Sequence, residues 1–341
     1  MEQQAIDDGI LGHVLDLSRF DAGLRRDSIA ILEKLQKELI AELANKKLTG
    51  IGKADKNRLL KQATEAIDSA YKNVAGVVDV GGIAQHTVDA TVSAIDKSYG
   101  GALSVSIPTQ AKMKSIASNV LIEGAVLNKW WKKQSEDTAF KFTGAVRQGL
   151  VAAETNQQII KRVQGVMAVS KRNAAALVQT SVANIAHDAR NKTFEANRDI
   201  TKGEKFVATL DQKTSLICAS YSGSEWDNNH EPINGTTLPY RRPILHWNCR
   251  SVLVPLLKTF RELGMDIDEM PIGTRASVDG QVSASTTFDD FLQRKGDSWQ
   301  DDVLGKGRAQ LYRDKTITLN QLVNNNGRVL TLAELNAKYK K

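Results

Sequence analysis

The chain has 341 residues, 41% of them apolar and 25% charged, which allows two or three domains of ordinary size with real cores. Its 46 lysines and arginines against 39 acids leave a net charge of +7, basic but far from histone-like; the surplus fits either a solvated surface or a place beside nucleic acid or an acidic partner. The start is acidic, with no basic stretch leading into an apolar run, and no apolar stretch approaches the roughly 20 residues that span a bilayer, so a secretory signal and a membrane span are not expected and a soluble cytosolic product is.

Aromatics at 6% and only 6 prolines suit a chain rich in helix. In Ser28 to Leu43, the residues Leu32, Leu35, Leu39 and Leu43 recur at helical spacing, with charges mostly on other faces. Asp55 to Val74 repeats the pattern with Leu59, Leu60, Ile67 and Tyr71, and Ile83 to Tyr99 with Val88, Val92 and Ile95. Gly100-Gly101 stops that element, and Pro108 stands near the start of the next. Asn156 to Gln164 and the Ala-rich Lys171 to Ala196 are the clearest later helices. Between Lys129 and Arg172 the helices carry a local basic excess, and Trp130-Trp131 sit inside it. Adjacent aromatics on a helix point about 100° apart, which predicts one core and one interfacial ring rather than two bases' worth of stacking surface.

The texture changes near Asn197. Lys205 to Leu210 reads as a strand, Gly and Pro and Asn-Gly pairs then punctuate short segments, and Ser251-Val-Leu-Val-Pro255 is a second β-rich run. Short helices are expected at Phe288 to Gln293 and Trp299 to Arg313; Thr318 and Thr331-Leu-Ala-Glu334 mark two more helix starts, the latter a capping box.

Both cysteines, Cys218 and Cys249, fall in this β-rich stretch, with His230 and His246 between them. Cys218, His246 and Cys249 are donors of the kind that hold zinc, His-x-x-Cys is a workable spacing for two ligands on one turn, and His230 or Asp211 would be the fourth. Such a clip would stabilise a module too small to bury much apolar surface; in peptides structural zinc supplies about 10–16 kcal/mol. A Cys218–Cys249 pair, or separate burial of two small apolar side chains, are the other readings. His230 lies in a loop composition, and Asp211 and Thr214 stand at a strand-to-turn junction where such side chains cap backbone groups. No phosphate loop, nucleophile elbow, His-Glu-x-x-His or dinucleotide fingerprint is present, so no catalytic residue is assigned and no cofactor is expected beyond that zinc.

The run Asp211-Gln-Lys-Thr214-Ser-Leu-Ile-Cys218, then Gly223, then Pro243-Ile-Leu-His246-Trp-Asn248-Cys249-Arg250-Ser251, resembles the phage Mu F-like head morphogenesis, or minor capsid, family. Pro271-Ile-Gly-Thr-Arg275, Thr287-Phe-Asp-Asp-Phe291-Leu, Asp302-Val-Leu-Gly305-Lys-Gly-Arg308 and Leu330-Thr-Leu-Ala-Glu334-Leu look like the tail region of such proteins, so the resemblance spans about residues 150 to 340. Some relatives carry a second Cys close after the first; here Ala219 and Ser220 follow Cys218. The family module is likened to ADP-ribosyltransferase folds, and by that analogy Arg275 and Ser285-Thr286-Thr287 would be remnants of a cofactor site; an enzyme or toxin module and a basic DNA-binding protein are the alternatives. The resemblance implies a virion component of tailed phages present in few copies, inside the head near the portal vertex. It would bind the portal protein and the major capsid or scaffolding protein, with phage DNA as a further partner and no membrane in the mature virion. The expected fold is α+β and predominantly α. A helical docking region spans 1–120, a helical segment opening the Mu F-like region 121–200, a β-rich Cys/His module 201–260, and an extension with short helices 261–341.

Overall fold

The computed structural model describes residues 2–119, 121–266, 274–283 and 285–340. In chain order the elements are α1 (Glu2–Ala44), α2 (Lys53–Ala75), α3 (Val80–Ser98), α4 (Gln110–Asn119), β1 (Leu121–Ile122), β2 (Ala125–Val126), α5 (Leu127–Val151) and α6 (Asn156–Ala196). Then come β3 (Thr201–Val207), α7 (Leu216–Tyr221), β4 (Glu225–Asp227), β5 (Pro232–Ile233), β6 (Val252–Leu257), β7 (Thr274–Ser277) and β8 (Gly280–Ser283). The chain ends in α8 (Phe288–Gln293), α9 (Asp297–Leu304), α10 (Lys306–Arg313), a 3-10 turn at Leu319–Leu322, and α11 (Leu332–Tyr339). The protein is therefore α+β and mostly α.

Two compact units are interleaved in sequence. One comprises Met1–Leu15, Ala84–Met113 and Ala186–Lys341, the other Asp16–Ile83 and Lys114–Ile185. In the second unit, α2 buries a stripe of Leu59, Leu60, Ala63, Ile67, Ala70, Tyr71 and Val74, the 3.6-residue period of an amphipathic helix. The hydroxyl of Tyr71 meets Thr138 Oγ1 of α5 at 3.0 Å, and Thr138 meets Ser170 Oγ of α6 at 2.9 Å, so a buried polar chain is satisfied inside an apolar layer. Asn156 donates to the carbonyls of Leu43 (3.0 Å) and Lys46 (2.7 Å), which satisfies backbone acceptors left over at the end of α1. Of the tryptophan pair, Trp131 is buried, whereas Trp130 is half-buried and donates its indole N–H to the Ile122 carbonyl at 2.8 Å. Both rings are engaged in protein packing.

The first unit carries a four-stranded antiparallel sheet in the order β5-β4-β3-β6. Its edge strand β6, Val-Leu-Val-Pro-Leu-Leu, is buried throughout. Proline cannot donate to a ladder, and an edge is where a strand tolerates it. The outer side of that edge is covered by α1: Gln3 donates to the Pro255 carbonyl and accepts from Leu257 N–H, both at 2.9 Å. Gly203 in β3 is a contact of necessity. A Cβ there would lie 2.0 Å from the Trp226 carbonyl oxygen, beside the bulge between Thr201 and Gly203. One face of the sheet packs on Ile6, Ile10, Ala94, Ile95, Tyr99 and Phe260. The other holds Phe206, Tyr221, Trp226, Leu238, Leu253 and both cysteines. A third cluster, built by α8 to α11 around Phe288, Phe291, Leu304 and Leu335, continues from Leu210 and Ala219.

The sequence places helix starts later than the structure does. Helix α1 begins at Glu2 rather than near Ser28, because Ile6, Ile10 and Leu17 extend the apolar stripe toward the N-terminus; Gly9, Gly12 and Gly23 obscure it. Helix α6 is one element of 41 residues rather than two pieces. The expected helix from Trp299 to Arg313 is broken at Gly305, whose φ of 79° is a left-handed conformation that glycine adopts freely.

Candidate functional site

The module around the two cysteines is assembled from three short stretches. The turn after β3 brings Asp211 and Thr214 round to α7, whose N-cap Ser215 accepts from the Cys218 backbone N–H at 3.3 Å. Cys218 therefore sits in the first turn of α7 and faces inward. The loop from Pro243 to Ser251 comes back beneath it. There Cys249 N–H donates to the His246 carbonyl at 3.1 Å, the single turn that His-x-x-Cys spacing predicts. Asn248 takes a φ of 60°, a left-handed position that asparagine tolerates.

The turn puts the three soft donors together. Cys218 Sγ lies 3.2 Å from His246 Nε2 and 3.6 Å from Cys249 Sγ, and all three donor atoms lie within 4.8 Å of one another. Both cysteines are buried and His246 is half-buried. Ser215 Oγ is 2.8 Å from His246 Nε2, and His246 Nδ1 is 2.8 Å from the Trp247 carbonyl. A carbonyl only accepts, so Nδ1 carries the proton and donates, leaving Nε2 as the ring's lone pair toward the sulfurs when the ring is neutral. The hydrogen bond from Cys218 pushes the Cys249 thiol down, with help from His246, and the same bond together with burial pushes the Cys218 thiol up. The hydrogen bond to Cys249 likewise raises the His246 pKa above its usual value, against the effect of burial.

Beside this trio, Arg250 donates two parallel hydrogen bonds to Asp211, at 2.5 and 2.7 Å. Burial raises the Asp211 carboxyl, but the bonds and charge of Arg250, with Lys213 N–H, outweigh it and hold it below the usual carboxylate range. Asp211 also accepts from Lys213 N–H at 2.9 Å, and Thr214 donates to the Thr209 carbonyl. The capping expected of Asp211 and Thr214 is present; the bidentate partner on the opposite stretch is the part that sequence reading missed. With its oxygens engaged this way, Asp211 is committed to Arg250.

His230 is not part of the trio. It stacks on Tyr240 with ring centroids 3.8 Å apart and lines a separate polar recess with Glu195, Arg198, Glu204 and Asn228, which corrects its place in the expected ligand set. Tyr240 donates to buried Glu204 at 2.8 Å there. Gly223 has a φ of 85°, its N–H bonds the Phe206 carbonyl at 2.8 Å, and a Cβ would meet Thr287 at 2.8 Å, so the position demands glycine on two counts. Pro243 is buried at the start of the returning loop. Thr287 serves as the N-cap of α8 in a capping box with Asp290, and Thr286 is buried. The Arg275 side chain lies outside the described residues, as do Pro271 to Gly273.

Three further residues complete the surroundings of the site. His187, on α6, bonds the Ser251 carbonyl through Nε2 at 2.8 Å. Arg190, one turn on, is buried and meets His13 Nδ1 at 3.2 Å. Ser215 holds His246. The signal for the first two was present: a histidine and an arginine three apart on the inward face of an Ala-rich helix.

Over part of its length this mostly helical protein, whose small sheet is tied together by an ion pair, a thiol pair and a histidine, matches a family associated with phage head morphogenesis. The match carries the family with it: residues 141–254 fit the model described as phage Mu protein F like protein, and this stretch belongs to that family. It begins near the middle of α5 and ends within β6, so it covers the whole staple, while the motifs after residue 254 lie beyond it. No curated protein and no solved structure matches the chain.

Proposed function

We propose that the chain is a minor capsid protein of a tailed phage that binds the portal protein and the inner face of the head, and acts in head assembly, DNA packaging or ejection. The family match over residues 141–254 carries this reading. The helices support it in kind. The region up to about residue 120 presents long amphipathic elements suited to docking, and Leu15, Phe20 and Phe140 are large side chains left exposed. The β module, residues 201–260, acts as a rigid clasp rather than a reaction centre. Asp211 is held by Arg250 and the thiols are buried, so these groups hold elements together rather than face a substrate.

The test is co-purification. The protein, co-expressed with its portal, scaffolding and major capsid proteins, should sediment with portal-containing procapsids and be lost from procapsids built without portal. Recovery only as free protein, with procapsids of normal composition otherwise, would overturn the reading.

A further inference from the structure

We propose that Cys218, His246 and Cys249 bind one zinc ion that fastens α7 to the loop before β6. Four observations carry the site. The first is distance. A tetrahedral zinc with Zn–S of about 2.3 Å and Zn–N of about 2.0 Å sets its ligand atoms about 3.8 Å apart for two sulfurs and about 3.5 Å for sulfur and nitrogen. The two sulfurs stand 3.6 Å apart, and Cys218 Sγ stands 3.2 Å from His246 Nε2, within a few tenths of that frame. The second is the ring. Nδ1–H is spent on the Trp247 carbonyl, the outer contact that fixes a metal-binding imidazole with its other nitrogen toward the ion. The third is charge. Two thiolates, a neutral imidazole and a divalent cation sum to zero, so the complex can be buried, and the adjacent Arg250 is already balanced by Asp211. The fourth is donor type. Two thiolates and an imidazole select zinc over the hard cations calcium and magnesium, which take oxygen.

Three protein ligands leave a fourth position, on the side of Ser215 Oγ, for an exchangeable ligand. His230 and Asp211 are not among the clustered donor atoms; His230 stacks on Tyr240 and Asp211 is paired with Arg250. The ion would join two stretches that come from separate parts of the chain, and its binding free energy would add to folding.

The experiment uses the full chain, purified without chelator and without an affinity tag that binds metal. Metal content is measured on the wild type and on the Cys218→Ser, Cys249→Ser and His230→Ala variants. The expected result is one zinc per chain in the wild type and in His230→Ala, and loss of most of it in both cysteine variants. Because either cysteine variant can fail to fold, cobalt is also exchanged into the wild type. A thiolate-to-cobalt charge-transfer band with tetrahedral visible bands is expected. A wild-type chain without metal overturns the proposal, whether both thiols react freely or the mass is lower by the two hydrogens of a Cys218–Cys249 disulfide. So does zinc retained at full occupancy by both cysteine variants, or a cobalt complex lacking the thiolate band.

Discussion

His187 should make the first unit acid-labile, by an amount that follows from its surroundings. The ring is 6% exposed, and its Nε2–H donates to the Ser251 carbonyl, which fixes the neutral tautomer. A second proton would have to sit on Nδ1 in a dry site facing buried Arg190, with Arg242 also near. Burial first, and then the Arg190 charge, lower the pKa from its usual 6.5 to about 3. The sign is then fixed. Between pH 6.5 and 3 the unfolded chain binds a proton that the native chain refuses, so stability is full above pH 6.5 and falls as the pH drops. At about 1.4 kcal/mol per pH unit over that window, His187 alone should remove about 2 kcal/mol between neutrality and about pH 5. His187→Gln can keep a donor for Ser251 without the titration. Urea unfolding of both proteins at neutrality and near pH 5, followed by fluorescence, reads the difference. Wild type should lose about 2 kcal/mol more than the variant, while the buried His13, whose pKa is also lowered to about 3, contributes equally to both. An identical loss in the two proteins would refute the reasoning.

Three other outcomes are expected. Gly203→Ala would place a methyl 2.0 Å from the Trp226 carbonyl, so β3 and β4 must part, and thermal unfolding should show a loss of at least about 1–3 kcal/mol. In the last capping box, Thr331→Ala removes the acceptor for Glu334 N–H and should cost about 1 kcal/mol, whereas Arg328→Ala, which loses an exposed ion pair to the same Glu334 and a long 3.5 Å bond to the Val329 carbonyl, should leave the urea midpoint unchanged. Asp211→Asn and Cys218→Ser should be non-additive in a double-mutant cycle, with a coupling of about 0.5–3 kcal/mol, because both act on the same returning loop through Cys249 and its neighbour Arg250; strict additivity would mean two independent ties.

Much of the fold was legible in the sequence, and the reasons differ by element. The helix Phe288 to Gln293 was read to its observed bounds because an apolar cluster follows a Thr cap at once, and the Thr331 box matched because both of its hydrogen bonds come from residues three apart. Local rules suffice for local bonds. The N-terminal part of α1 was missed because its glycines weaken propensity, while its apolar face is justified only by distant partners: Ala94, Ile95 and Tyr99, and a sheet some 250 residues later, whose edge Gln3 also bonds at Pro255 and Leu257. The interleaved units share that cause. A contact pattern that joins residues 1–15 to 186–341 leaves no mark in composition. At the site, the cysteines and His246 were found together because one of their spacings, His-x-x-Cys, is local. Arg250's partner and His187 were not, because each bridges from one element to another far off in the chain.

The two ties across the β module act on different faces of one short loop. Cys249 and Arg250 are neighbours, and neighbouring side chains in an extended segment point to opposite sides. Cys249 turns inward to Cys218 and His246 among Phe206, Tyr221 and Trp226, while Arg250 turns to Asp211 at the rim, and the Ser251 carbonyl is taken by His187 from α6. Three consecutive residues thus fix the loop from three directions immediately before β6 begins at Val252. A one-residue slip would exchange a buried thiol for a guanidinium and strand a charge in the apolar cluster, an error costing several kcal/mol. These ties immediately before Val252 thus favour the observed register of β6 on β3, with Val207 opposite Val252.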